Sequence, residues 1–310
     1  MLTIFSIPKP FAGHVGVIQM NALRSWALLE PKCQIIIFGD EPGIAEAAAE
    51  VGAFHVAEIT RNEYGTPRLD WAFGRAQDMA DHRLTCYLNS DIIVLNDLPE
   101  TAAAIDFPTF LMIGERIDLD ITEPMGFGVG WQERLRAHAR EHGSRHGPTG
   151  MDYFVFPTGM IRSMPAFVVG RAGWDNWMVY NARADRIPVI DASRAVYLVH
   201  QTHDYAHHPG PLKGTWQDPE SVANCNLLDH EFKIKFLLSD STWRIKRPGS
   251  KPVRAWRHLP RLIDTWSSLY PPAEYPLVRP LEPVDRVVRH VRAKWRRLGA
   301  VMKRRARTRA

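Results

Sequence analysis

Residues 86–98 read CYLNSDIIVLNDL, an apolar run broken by Asn89-Ser90-Asp91. A carboxylate buried without a partner costs enough that it shifts its pKa or finds a counter-charge. Asp91 therefore sits in a turn or is met by something positive. Carboxylate oxygens are hard ligands suited to Mg2+ or Mn2+, so a divalent cation is one candidate. Asp40 stands in a matching place, just past the apolar QIIIF of residues 34–38, where it either caps the next helix or faces the same ligand. A second cluster lies in VYLVHQTHDYAHH (196–208), where His200, His203 and His207 fall at i, i+3 and i+7. If that stretch is helical, the three imidazoles share one face. They then read as candidate metal ligands, His203 first and His200 next, against the alternative of a polar loop. No HExxH zinc motif accompanies them. Asp152 in GMDYFVFP and Asp175 in GRAGWDNWMVYNAR have apolar and aromatic neighbours, a setting for general-base work. Asp175 could equally be the N-cap of its helix.

The elements that must position these residues alternate in the first half of the chain. Strand-like runs at residues 2–7, 34–38, 54–59 and 84–88 are separated by helix-like segments at 17–29, 42–51 and 68–82, with Gly52 closing the second. That alternation predicts βαβ units, a parallel sheet and right-handed crossovers. Ligands in such sheets bind beyond the carboxyl ends of the strands, where Asp40 and Asn89-Ser90-Asp91 fall. The second half is less regular, with strand candidates at 110–113, 152–156 and 195–199, a short helix at 173–184, and a loop-like GERIDLDITEPMGFGVG (114–130). Eight prolines between Arg247 and Pro283 predict an extended wrapping segment with at most short helices.

With 310 residues, 45% of them hydrophobic, the chain can bury a full core. Cys33, Cys86 and Cys225 are odd in number and widely spaced, which argues against a disulfide framework or a thiolate zinc site. MLTIFSIPKPF reads as a first strand and not as a signal peptide, and no apolar run is long enough to span a membrane. The expected location is cytoplasmic. The charge is lopsided. Residues 284–310 hold nine Arg and two Lys against one Asp, a local +10 in a chain whose total is +5. Apolar residues from Val284 to Val301 recur at helical spacing among those arginines. They predict a basic amphipathic helix that seeks an anionic membrane surface, making the protein peripheral on the inner face. No nucleic-acid module accompanies the charge, so no nucleic acid is expected.

YLNSDIIV, placed after βα units, resembles the DxD region of GT-A glycosyltransferases, which use nucleotide-diphospho-sugar donors. The resemblance spans roughly residues 1–210. It implies a GT-A-like, Rossmann-type α/β fold with a mixed, mostly parallel sheet flanked by helices, and hexosyltransferase-like activity with Mn2+ or Mg2+. It assigns Ser6, Asp40, Asn89, Ser90 and Asp91 to the donor, Asp91 with His203 or His200 to the metal, and Asp175 or Asp152 to catalysis. Asn89 departs from the pattern, because the family usually has a carboxylate there. The implied domains are 1–245 (donor half 1–115, acceptor and metal half 116–245), a proline-rich segment 246–283 and the basic tail 284–310. The implied acceptor is a glycan or a lipid-linked precursor in polysaccharide assembly. Trp131, Trp174, Trp177 and Trp216 offer flat faces for sugar stacking, and Arg116, Asp118 and Asp120 are placed at the donor cleft. Three other readings stay open: a metal-dependent hydrolase built on the histidines, a sugar nucleotidylyltransferase, and a non-catalytic nucleotide-sugar or glycan binder.

Overall fold

The computed structural model describes residues 2–202, 218–228, 236–256 and 258–269. Residues up to His258 form one compact unit; the second begins at Leu259. The central sheet has nine strands, ordered β13-β12-β10-β6-β9-β4-β1-β2-β3. These are β1 (Leu2–Ser6), β2 (Gln34–Phe38), β3 (Phe54–Val56), β4 (Leu84–Leu88), β6 (Leu111–Ile113), β9 (Tyr153–Pro157), β10 (Val189–Asp191), β12 (Trp243–Arg244) and β13 (Val253–Arg254). The pairs β1–β2, β2–β3, β1–β4, β6–β10 and β10–β12 are parallel. Antiparallel β9 sits between β4 and β6, so the sheet is mixed and mostly parallel.

Alternate residues of a strand face opposite sides, and here the two sides differ in kind. Ile4, Ile37, Cys86 and Val155 meet Ala22, Leu23 and Trp26 of α1 (Gly13–Ala27) and Ile44, Ala47 and Ala48 of α2 (Ile44–Val51) in one aliphatic core. Phe5, Tyr87, Phe154 and Phe156 face the other way. They pack on Phe73 of α3 (Leu69–Asp78) and Trp174 of α6 (Trp174–Ala184) with centroid separations of 4.9–5.8 Å. Gly52 ends α2 in the left-handed region, at φ 69, where a residue with a Cβ would be strained.

A second sheet runs β5-β11-β7-β8, from β5 (Ile92–Val94), β7 (Ile117–Leu119), β8 (Ser144–Arg145) and β11 (Leu198–Gln201). One of its strands lies where the sequence predicted a loop, and another starts inside the predicted strand 195–199 and runs two residues past it. Ile117–Leu119 falls inside the segment read as loop, and is too short to show alternation. Leu198–Gln201 puts His200 on a strand, so the helical face expected of His200, His203 and His207 does not begin there; His203 and His207 lie outside the described residues. Between β7 and β8, α5 (Trp131–His142) turns only Trp131, Leu135 and Ala139 to the core, a four-residue repeat in a polar segment. In the second unit, α8 (Leu259–Leu269) forms in the stretch expected to be mostly extended, with Pro260 tolerated in its first turn. No helix among the described residues is long and apolar enough to cross a membrane. The basic tail lies outside the described residues.

Candidate functional site

Asn89-Ser90-Asp91-Ile92 is a β-turn closed by the Ile92 amide donating to the Asn89 carbonyl at 3.2 Å. The turn joins the end of β4 to β5, so the polar break is both a turn and the floor of a cavity. That cavity, of about 520 Å³, opens beyond the carboxyl ends of β1, β4 and β6. Its size is that of a small-molecule site. Lys9 follows β1 on its wall, Asn89, Ser90 and Asp91 follow β4, and Arg116 follows β6. Asp152, Arg61, Thr66, Arg171 and His200 complete the polar lining.

Strand register assembles the chemistry. Leu88 pairs with Tyr153 across β4 and β9, which puts Asn89 beside Asp152. The Asn89 side-chain amide donates to Asp152 Oδ1 at 2.8 Å, and Arg116 Nη1 donates to both oxygens of that carboxylate at 2.9 and 3.1 Å. Asp152 is 5% exposed, and this pairing makes its burial tolerable. His200 pairs with Asp118 across β11 and β7 and with Ile92 across β11 and β5. Accordingly His200 Nδ1 lies 3.1 Å from Asp118 Oδ1, and its Nε2 lies 3.6 Å from Asp91 Oδ2. Asp118 also meets Arg116 Nε at 2.9 Å and His146 Nδ1 at 2.7 Å. Burial raises the Asp118 pKa, but His146, Arg116 and His200 outweigh it and hold the carboxyl below its ordinary value.

Behind the turn is a buried polar network. Gln201 donates to the carbonyls of Asp91 and Ile18, and accepts from Asn21. Gln19 accepts from Ser90 and exchanges two hydrogen bonds with the backbone of Lys9, at 2.8 and 2.9 Å. One buried amide thus fixes both the Asn-Ser-Asp turn and the loop after β1. Protein atoms around the Lys9 ammonium lower its pKa; the charge of Asp91 opposes this and that of Arg171 adds to it.

Several predicted residues stand elsewhere. Ser6 is fully buried and its hydroxyl donates to the Leu88 carbonyl, so it ties β1 to β4 and does not face the cavity. Asp40, with a side chain 66% exposed, pairs with Arg61 at 2.5 Å and is not in the lining; that bond lowers its pKa. The wall contains Arg61 itself and its second partner, Glu41. Asp175 is in the first turn of α6 and outside the lining, with Gly173 and not Asp175 as N-cap. Burial raises the Asp175 pKa to about 6, backbone N–H groups at the helix start oppose this, and the Asp152 charge adds to it. Trp131, Trp174 and Trp177 are core residues, packed on Phe127, on Tyr87 and Phe154, and on Phe167. Trp216 lies outside the described residues. Asp120 belongs to a separate hollow beside α5.

Among the described residues no group of three or more His, Cys, Asp or Glu side chains could hold a metal ion. Mg2+, however, is commonly bound by one or two carboxylates together with substrate phosphates. Asp91 with His200 suits a cation that arrives with a phosphorylated ligand. Asp118 stands on the side of the second ring nitrogen of His200 from which a carboxylate supports a metal-bound imidazole, at ion-pair distance and without hydrogen-bond geometry.

No protein-family model matches the sequence, and no curated protein matches it. Among solved structures, the chain is similar to S. aureus TarS 1–349 at 14% identity and TM-score 0.42, over 65% of this chain and 60% of that one. The chain thus spans less than two thirds of that structure. The same protein in complex with UDP-GlcNAc aligns at 12% identity and TM-score 0.44, over 73% and 70%. Glucosyl-3-phosphoglycerate synthase from Mycobacterium tuberculosis, in complex with Mg2+ and UDP, aligns at 14% identity and TM-score 0.40, over 73% and 79%.

Proposed function

We propose that the protein transfers a sugar from a nucleoside-diphosphate-sugar donor to a hydroxyl of a glycan or lipid-linked acceptor. The observation that carries this is the cavity at the carboxyl ends of parallel strands, where Asp91 and His200 converge beside cationic side chains. Asp91 and His200 would hold a divalent cation, which supplies Lewis-acid stabilisation of the leaving diphosphate when bound. His203 is a proposed alternative ligand to His200. Asp118 orients His200. Asp152 keeps Asn89 and Arg116 on the wall, and its oxygens already accept their N–H groups. Asp175 is the proposed proton acceptor for an attacking hydroxyl, which would have to reach the start of α6 beyond the cavity lining. A carboxyl with a pKa near 6 is ionised at neutral pH, yet is a stronger base than an ordinary carboxylate. The basic tail, read from sequence, would bring the enzyme to an anionic membrane surface where lipid-linked acceptors reside.

Thermal denaturation with UDP, GDP, CDP and dTDP, each with Mn2+ or EDTA, tests the reading on wild type and Asp91→Ala. A ligand that binds only the folded state raises Tm by mass action. The expected result is stabilisation by one nucleotide, enlarged by Mn2+, with the enlargement lost in Asp91→Ala. No stabilisation by any nucleotide under either condition would refute the assignment.

A further inference from the structure

Four cations line the cavity, and they differ in what holds them. Arg116 is engaged by Asp152 and Asp118, and Arg61 by Asp40 and Glu41, so these two neutralise acids of the site and its rim. Arg171 is different. Its carboxylate partners, Asp218 and Glu220, are outside the cavity lining, at the start of α7 (Pro219–Asn226). Glu220 is buried and also accepts from Asn62 at 2.8 Å, so it anchors Arg171 to the loop that carries Thr66. A guanidinium has five N–H donors, more than Glu220, Asp218 and the Gly170 carbonyl take up. Lys9 approaches the same space from the loop after β1, its backbone fixed by Gln19. Both side chains line the one cavity, where the Arg171 charge acts on the Lys9 ammonium less strongly than the opposing charge of Asp91 does.

Arg171 keeps N–H donors beyond those its carboxylate partners take, and Lys9 lines the same wall, so an anion entering the cavity meets two positive groups. We propose that Lys9 and Arg171 form a two-cation clamp for the diphosphate of the ligand, so that a nucleoside diphosphate binds here without a divalent cation. This rests on the donor reading above and deepens it. Asp218 and Glu220 hold Arg171 from behind and set its direction, while weakening its pull on the anion.

The test is calorimetric titration in EDTA with inorganic pyrophosphate and with UDP, GDP, CDP and dTDP, on wild type, Lys9→Met, Arg171→Gln and Glu220→Gln. Wild type is expected to bind without metal, and Lys9→Met and Arg171→Gln each to weaken binding by about tenfold or more, equivalent to about 1.4 kcal/mol. Added salt should weaken the wild type more than either variant. Glu220→Gln removes a counter-charge and keeps the cation, so it should bind at least as tightly as wild type. Binding that appears only with Mn2+, or that ignores both cation substitutions, overturns the clamp. So does equal weakening by Glu220→Gln and Arg171→Gln, which marks wall packing and not charge. Lys9 stands in an exposed loop, so Lys9→Met carries the test if Arg171→Gln does not fold. If no nucleoside diphosphate binds with or without Mn2+, the donor reading fails. Pyrophosphate binding then decides the clamp by itself.

Discussion

Replacing Asp175 by Asn should make the protein more stable at neutral pH while removing the proposed proton acceptor. The carboxyl has a pKa near 6 in the folded chain, against 3.8 for an ordinary aspartate. A difference of about two pKa units, at about 1.4 kcal/mol each, means that ionised Asp175 opposes folding by up to about 3 kcal/mol. Asn keeps the volume and part of the hydrogen bonding to the helix-start amides, so a gain of about 1.5–3 kcal/mol is expected. For a unit of this size that is a Tm rise of about 3–6 °C. The pH dependence gives the sharper check. Because the folded pKa is the higher one, wild type regains stability as pH falls from about 6 toward 4, while the variant does not. The Tm difference should be full above about pH 7 and vanish near pH 4. Differential scanning calorimetry from pH 4 to 8 reads this directly. An equal or lower Tm for Asp175→Asn at pH 7.5, or a difference independent of pH, would refute the reasoning. If Asp175 is the base, kcat should collapse in the same variant, and wild-type activity should fall through an acid limb near pH 6.

Asp118→Asn should weaken Mn2+ binding in the presence of the nucleotide by about 10–100-fold, because His200 loses the carboxylate that orients it. Calorimetry with and without metal checks this, and metal-free nucleotide affinity should change little. Arg116→Met leaves the buried Asp152 carboxylate with Asn89 but without its counter-charge, and should cost about 3–5 kcal/mol in urea denaturation. Adding Asp152→Asn removes the stranded charge and should recover more than half of that loss; no recovery would mean the pair matters for packing instead.

What was legible in the chain divides by the range of the interaction that decides it. Gln34–Phe38 and Leu84–Leu88 form where the sequence predicts because continuous apolar runs bounded by Gly39 and by Asn89 leave a buried strand as the natural outcome. Asn89-Ser90-Asp91 was visible for the same reason, as a polar break that an apolar strand does not carry by chance. His200 was visible by type and misread by geometry. Its spacing to His203 and His207 suits a helix, yet its structural partners are Asp118 and Asp91, far away in sequence and set by strand register. Lys9, Arg116 and Arg171 illustrate a harder limit. A lysine in a loop or an arginine beside an aspartate reads like any solvated charge, and only the folded sheet shows that their positions converge beyond β1, β4 and β6. Trp174 shows the converse. An aromatic side chain near candidate catalytic carboxyls invites a stacking role, but Phe5, Phe73, Tyr87, Phe154 and Phe156 make one face of this sheet aromatic, and Trp174 completes it. The same packing fixes where α6 begins, and therefore holds Asp175 in the half-buried setting that raises its pKa. The aromatic core and the proposed base are thus two consequences of one helix start. Trp174→Leu should consequently loosen α6 and bring the Asp175 pKa down toward that of an exposed carboxyl.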